Sequence, residues 1–93
     1  MTSDELETLH RAIKHYGEKT QAINAAGECA ELIDALLKYY NQGREDALYK
    51  ILEEMADVEI MLDQLKLIHL EHRYTIEQIK AAKIERLKKR LYE

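Results

Sequence analysis

The sequence predicts an all-α domain, a four-helix up-and-down bundle spanning residues 1–93 as a single unit. Three observations carry this. Proline is absent and glycine occurs three times in 93 residues, which leaves little of the turn chemistry that a β-sandwich needs. Apolar residues recur at i, i+3, i+4 and i+7 in the two longest segments. Short connections with capping or glycine signals separate the segments, and short connections make successive helices antiparallel neighbours.

The elements follow in order. Thr2-x-x-Glu5 has capping-box spacing, so a first helix is predicted over about Ser3–Tyr16, stopped by Gly17. A second is predicted over about Glu18–Asn41, ending before Gly43, with an apolar stripe of Ile23, Ala26, Ala30, Ile33, Leu37 and Tyr40. Cys29, Leu32 and Leu36 widen that stripe, and Cys29 is expected to be a small core residue. Gly27 costs a helix interior roughly 1 kcal/mol relative to alanine, so a packing reason is expected for it. A third helix spans about Arg44–Leu70, with Leu48, Ile51, Leu52, Met55, Val58, Leu62 and Leu65 on one face and Met61 and Ile68 extending it. Glu71–Tyr74 reads as a turn, and Thr75-x-x-Gln78 as a second capping box that opens a fourth helix to Leu91. Both long stripes are broader than a surface helix requires. A chain of this size buries only about 60–65% of its unfolded surface. A homodimer or higher homo-oligomer is therefore expected.

Composition narrows the function classes. One cysteine excludes an intramolecular disulfide framework and argues against a thiolate zinc site. No apolar run approaches the roughly 18 residues of a membrane span, and Met1-Thr2-Ser3-Asp4-Glu5 lacks the blocks of a signal peptide. A soluble, cytoplasmic protein without a membrane partner is expected. The net charge of −4 speaks against nucleic acid as the main partner. Charge is also segregated: Glu53, Glu54, Asp57, Glu59 and Asp63 occupy a stretch without lysine or arginine, whereas Lys80, Lys83, Arg86, Lys88, Lys89 and Arg90 face Glu85 alone. Such a division suits a protein that handles a cation and an anion together, but charge alone favours the plainer reading of a folded hairpin whose ends attract.

Four acids have a distinctive placement. Glu28, Glu31, Leu32, Ala35 and Tyr39 fall on one helical face at i, i+3, i+4, i+7 and i+11, and Glu54, Asp57, Val58, Met61 and Leu65 repeat that spacing. Each acidic pair thus borders an apolar stripe. Antiparallel packing through these faces brings four carboxylates together, where like charges about 5 Å apart repel by roughly 3 kcal/mol per pair at an effective dielectric near 20. Raised pKa values or a bound cation must compensate. Hard oxygen donors without histidine or thiolate suit Mg²⁺ or Mn²⁺. The plain alternative is a set of ordinary surface acids on acidic helices.

Ala25-Ala26-Gly27-Glu28-Cys29-Ala30-Glu31-Leu32, followed by Leu52-Glu53-Glu54-Met55-Ala56-Asp57-Val58, resembles the MazG-like group of all-α nucleoside triphosphate pyrophosphohydrolases. Their signature is Glu-Glu-x-x-Glu on one helix and Glu-x-x-Asp on the next. The approach His15-Tyr16-Gly17-Glu18-Lys19-Thr20-Gln21 resembles the segment that precedes that signature, and the similarity covers roughly residues 13 to 90. The resemblance implies Mg²⁺ held by Glu28, Glu31, Glu54 and Asp57, which would serve as metal ligands and catalytic residues. It implies cleavage of a (deoxy)nucleoside triphosphate between the α and β phosphates, giving monophosphate and pyrophosphate. Lys83 and Arg86, one turn apart, would bind substrate phosphate, and Tyr39, with Tyr16 or Tyr40, would stack on the base. The sequence departs at Gly27, where the signature has its first glutamate, and in lacking tryptophan and phenylalanine. The alternative reading is a non-catalytic dimerising helical module that keeps an acidic cluster. A ferritin-like di-iron centre is disfavoured, because Glu7-x-x-His10 is the one Glu-x-x-His and His69-x-x-His72 sits at a predicted helix end.

Overall fold

The structure, a computed structural model that describes residues 1–92, holds four α-helices and no strand among the described residues. They are α1 (Ser3–Tyr16), α2 (Glu18–Leu36), α3 (Leu48–Ile68) and α4 (Arg73–Leu91). None of them is long and apolar enough to cross a membrane. The all-α expectation and the element order hold, and the arrangement is consistent with a helical bundle.

Local chemistry explains the ends. Thr2 Oγ1 accepts from the Glu5 amide at 3.1 Å while the Thr2 amide donates to Glu5 Oε1 at 2.9 Å, closing the predicted capping box. Gly17 stops α1 at φ 95°, a value strained for any residue with a Cβ, and α2 starts directly after it. Beyond Leu36 the chain widens into a π-helical turn, Leu37–Asn41, in which the Gln42 amide donates to Leu37 O at 3.0 Å. Gly43, at φ 68°, turns the chain back through a short 3₁₀ turn, Glu45–Ala47, into α3. The second capping box is not formed. A 3₁₀ turn at Leu70–His72 leads straight into α4 at Arg73, so Thr75 lies inside the helix and His72 stands at its start without a side-chain cap.

The packed body is the antiparallel pair α2–α3, with α1 touching both. Ala25 and Ala35 on α2 and Ile51 and Met61 on α3 are among the buried residues, and small residues such as alanine on a packed helix face permit close approach of backbones. The inward face of α2 therefore runs through Gln21, Ala25, Glu28, Leu32 and Ala35, continued by Tyr39 in the π-helical turn, all buried or half-buried. This reverses the expected orientation: Ile23 and Ile33, from the stripe expected to face the core, are 60% and 58% exposed, with Leu37 and Tyr40 beside them. On α3 the expected stripe splits, with Ile51 buried and Leu48, Leu52, Met55 and Leu62 turned outward. Cys29 lies exposed on the outward face, contrary to a core role. Gly27 has no packing reason within the chain, since a Cβ there meets nothing within 4 Å.

α4 behaves differently. It packs chiefly on the turn before it and buries none of its residues, while Ile79, Ile84 and Leu87 stay exposed. The radius of gyration is 16.2 Å, against about 12 Å for a compact domain of this length. The accessible surface of 7640 Å² likewise exceeds the roughly 5,600 Å² of a compact monomer of this mass.

Candidate metal centre

Two polar insertions interrupt the α2–α3 seam. At one end Gln21 Nε2 donates to Gln64 Oε1 at 2.7 Å, Asn24 Nδ2 donates to Gln21 Oε1 at 2.9 Å, and Gln64 Nε2 points to Met61 Sδ at 3.6 Å. The same register, carried two turns further along α2, sets Glu28 opposite Glu54 and Asp57. One carboxylate oxygen from each of these three residues lies within 4.8 Å of the others.

Burial makes this cluster costly. Glu54 is 1% exposed, the most buried large side chain of the described residues. Glu54 Oε2 and Glu28 Oε2 are both buried and receive no hydrogen bond from an amide, hydroxyl or ammonium; the carboxyls of Glu28 and Glu31 lie within hydrogen-bonding reach of Glu54, so within the chain only a shared proton would pair them. An unpaired buried polar group costs about 1–3 kcal/mol, and more when charged. Burial, followed by the charges of Asp57, Glu31 and Glu54, pushes the Glu28 carboxyl above the ordinary range. The opposite holds at Glu54. Lys50, one turn earlier on α3, places Nζ 2.8 Å from Glu54 Oε1, and this hydrogen bond holds the Glu54 carboxyl below the usual value.

The donor set fits a small hard cation. Octahedral Mg²⁺ keeps its oxygens at about 2.0–2.1 Å, so its ligand atoms stand about 3–4 Å apart, and the observed cluster needs only side-chain adjustment to reach that spacing. The two unpartnered oxygens supply the independent reason to expect a ligand, since acids that merely border a solvated face hydrogen-bond to water instead. Glu31 stands outside the closest trio, one turn along α2, but its charge acts on Glu28 and on Lys50.

The other expected site residues are less gathered. Tyr39 is half-buried at the π-helical turn, its ring edge-on to Tyr40 with centroids 4.8 Å apart. Tyr16 is exposed and packs edge-on against His15 at 4.7 Å. Lys83 and Arg86 lie on α4, which buries none of its residues, and no cation of α4 is among the charges that shift Glu28 or Glu54. One groove of about 330 Å³ runs between α1 and α3, lined by Leu9, Ile60 and Asp63, and another of about 480 Å³ follows Ile76, Lys80 and Lys83 along α4; neither includes a cluster carboxylate.

Sequence reasoning missed Lys50 and the Gln21–Gln64 pair. The i, i+4 spacing of Lys50 and Glu54 was a usable signal, because that spacing puts them on one helical face. The glutamine pair had none, since nothing local marks a glutamine as buried. No family model, curated protein or solved structure matches the chain.

Proposed function

We propose that the chain is a MazG-like nucleoside triphosphate pyrophosphohydrolase, which uses Mg²⁺, or Mn²⁺ in its place, to cleave a (deoxy)nucleoside triphosphate between the α and β phosphates. Its role would be housekeeping of the nucleotide pool. The observation that carries the reading is the buried Glu54, with one oxygen unpartnered, facing Glu28 across the seam with Asp57 one turn further along α3. Three of the four acids that resemble the family signature, Glu28, Glu54 and Asp57, meet there.

Glu28, Glu54 and Asp57 would hold the metal, with Glu31 completing the set. When bound, the ion neutralises phosphate charge and acidifies a water molecule. The carboxylates fix its position from two rigid helices, which keeps the geometry more precise than loop residues would. Glu31, displaced one turn from the trio, is suited to orient a water and take its proton. Lys83 and Arg86 would bind phosphate oxygens and Tyr39 would line the base.

The same reading includes a homo-oligomer. The chain exposes about 2,000 Å² more than a compact monomer, whereas a standard interface buries about 800 Å² per partner. The outward stripe Ile23, Ala26, Ala30, Ile33, Leu37 and Tyr40 alternates steps of three and four, the spacing of a helix–helix seam. A second copy seated there covers the apolar face, and it also gives α4 cations a route to a site that their own chain does not offer. Sedimentation at micromolar concentration is expected to show a dimer or larger species; a monomer overturns this part.

The activity test is incubation with each common NTP and dNTP, with and without Mg²⁺, and chromatographic separation of products. Monophosphate and pyrophosphate are expected, lost in Glu31→Gln and Asp57→Asn with helicity intact. Variants as active as wild type defeat the reading. If no substrate turns over and Mg²⁺ with a non-hydrolysable triphosphate leaves the melting temperature unchanged, the non-catalytic dimerising module takes its place.

A further inference from the structure

We infer that Lys50 is the site's own counter-ion: its ammonium holds Glu54 in the cation-free protein and yields that carboxylate to a divalent cation, setting how much cation is needed to fill the site. This rests on the metal-binding reading above but concerns a residue outside both acidic pairs.

The geometry is asymmetric. Lys50 Nζ lies 2.8 Å from Glu54 Oε1; the lysine side chain is 56% exposed, whereas that of Glu54 is 1% exposed. Glu54 cannot turn to water when its partner leaves, but Lys50 can, because its flexible stem carries the ammonium into solvent. Lys50 is also the cation among the main influences on Glu54, and the nearby Glu53 and Glu31 add to its hold. One oxygen of Glu54 is thus occupied and the other unpartnered. A buried carboxylate facing two more acids, with no cation, is a strongly unfavourable arrangement. The tethered ammonium relieves part of it with a single charge. A divalent ion contacting Glu28, Glu54 and Asp57 together relieves more, so the two compete for Glu54 and the ion wins at sufficient concentration.

The test is a Mn²⁺ titration of the full chain, with free ion read by its paramagnetic resonance signal and no activity required. Lys50→Met is expected to bind Mn²⁺ about five- to tenfold more tightly than wild type, the size of one modest ion pair. Lys50→Arg, which restores the cation, is expected to bind like wild type. Unchanged or weaker binding in Lys50→Met overturns the inference while leaving the metal site standing. No binding to wild type or to Lys50→Met at millimolar Mn²⁺ overturns the metal reading and this inference with it. A second measurement needs no variant. Acylation of wild-type lysines, mapped by peptide mass, is expected to show Lys50 more reactive when Mg²⁺ is present, with Lys19 and Lys66 unchanged; equal Lys50 reactivity with and without Mg²⁺ also counts against it.

Discussion

The α2–α3 seam contains two polar insertions in the same register, and they are finished in opposite ways. Gln21 and Gln64 are neutral, hydrogen-bonded to each other at 2.7 Å, and further engaged by Asn24 and Met61. Glu28, Glu54 and Asp57 are acidic, gathered within 4.8 Å, and leave two buried oxygens unpartnered. A protein that needs polarity in a seam only for register can use the first solution, which satisfies its groups internally. The second is costly unless something outside the chain completes it. That contrast, rather than the presence of acids, distinguishes a site from a structural polar pair.

The largest effect should separate the two insertions by their response to metal. Glu54→Gln is expected to abolish both Mg²⁺-dependent turnover and the Mg²⁺-dependent rise in melting temperature, whereas Gln64→Leu leaves the metal response in place. A Gln64→Leu variant that also loses the response would make the two insertions one unit. Next in size is the stability of the glutamine pair. Gln21→Ala leaves the buried Gln64 short of a partner and is expected to cost about 1–3 kcal/mol in urea unfolding. The double variant Gln21→Leu with Gln64→Leu removes both groups together and should recover most of that loss. No recovery would mean that the pair serves more than register.

A smaller effect is expected on the back of α2. Gly27→Ala should stabilise the protein by about 0.5–1 kcal/mol, because a Cβ there meets nothing within the chain. Destabilisation instead, with a fall in oligomer size, would place a second copy against that position. Smallest is Glu28→Gln without metal. Its removal of one repelling charge is expected to raise the melting temperature by a few degrees near neutral pH. The pH dependence has a definite sign. A carboxyl whose folded pKa is raised opposes folding fully above that pKa, and the opposition fades as pH falls toward its unfolded value. The advantage of Glu28→Gln should therefore shrink on acidification, since wild-type Glu28 then takes up a proton. Glu54 runs the other way: its lowered pKa gives stability above the unfolded value, lost as pH falls through the folded one. Thermal melts of both proteins from neutral to acid pH check the two signs.

Much of the fold was legible because it is local. The Thr2–Glu5 box, the stop at Gly17, the turn at Gly43 and the helical spacing of the four acids all depend on residues within a few positions of one another. Thr75-x-x-Gln78 shows the limit, because the same spacing inside a continuing helix caps nothing. The convergence of Glu28, Glu54 and Asp57 was legible too, since the i, i+3 pairs on successive antiparallel helices leave few other places for them to meet. Lys50 required only the neighbouring turn to be read alongside the acids.

What the tertiary structure decided was which face turns inward. Periodicity reports that α2 carries two faces, one rich in Ile23, Ile33 and Leu37 and one carrying Gln21, Ala25, Glu28 and Ala35, and hydrophobicity alone puts the first in the core. Within one chain the second is inside: Ala25 and Ala35 are buried there, small enough to suit a tight helix pair, and Gln21 pairs with Gln64. Burial is a relation between two surfaces and the register that joins them. A single sequence states the composition of each surface, but its partner is chosen only when the helices pack.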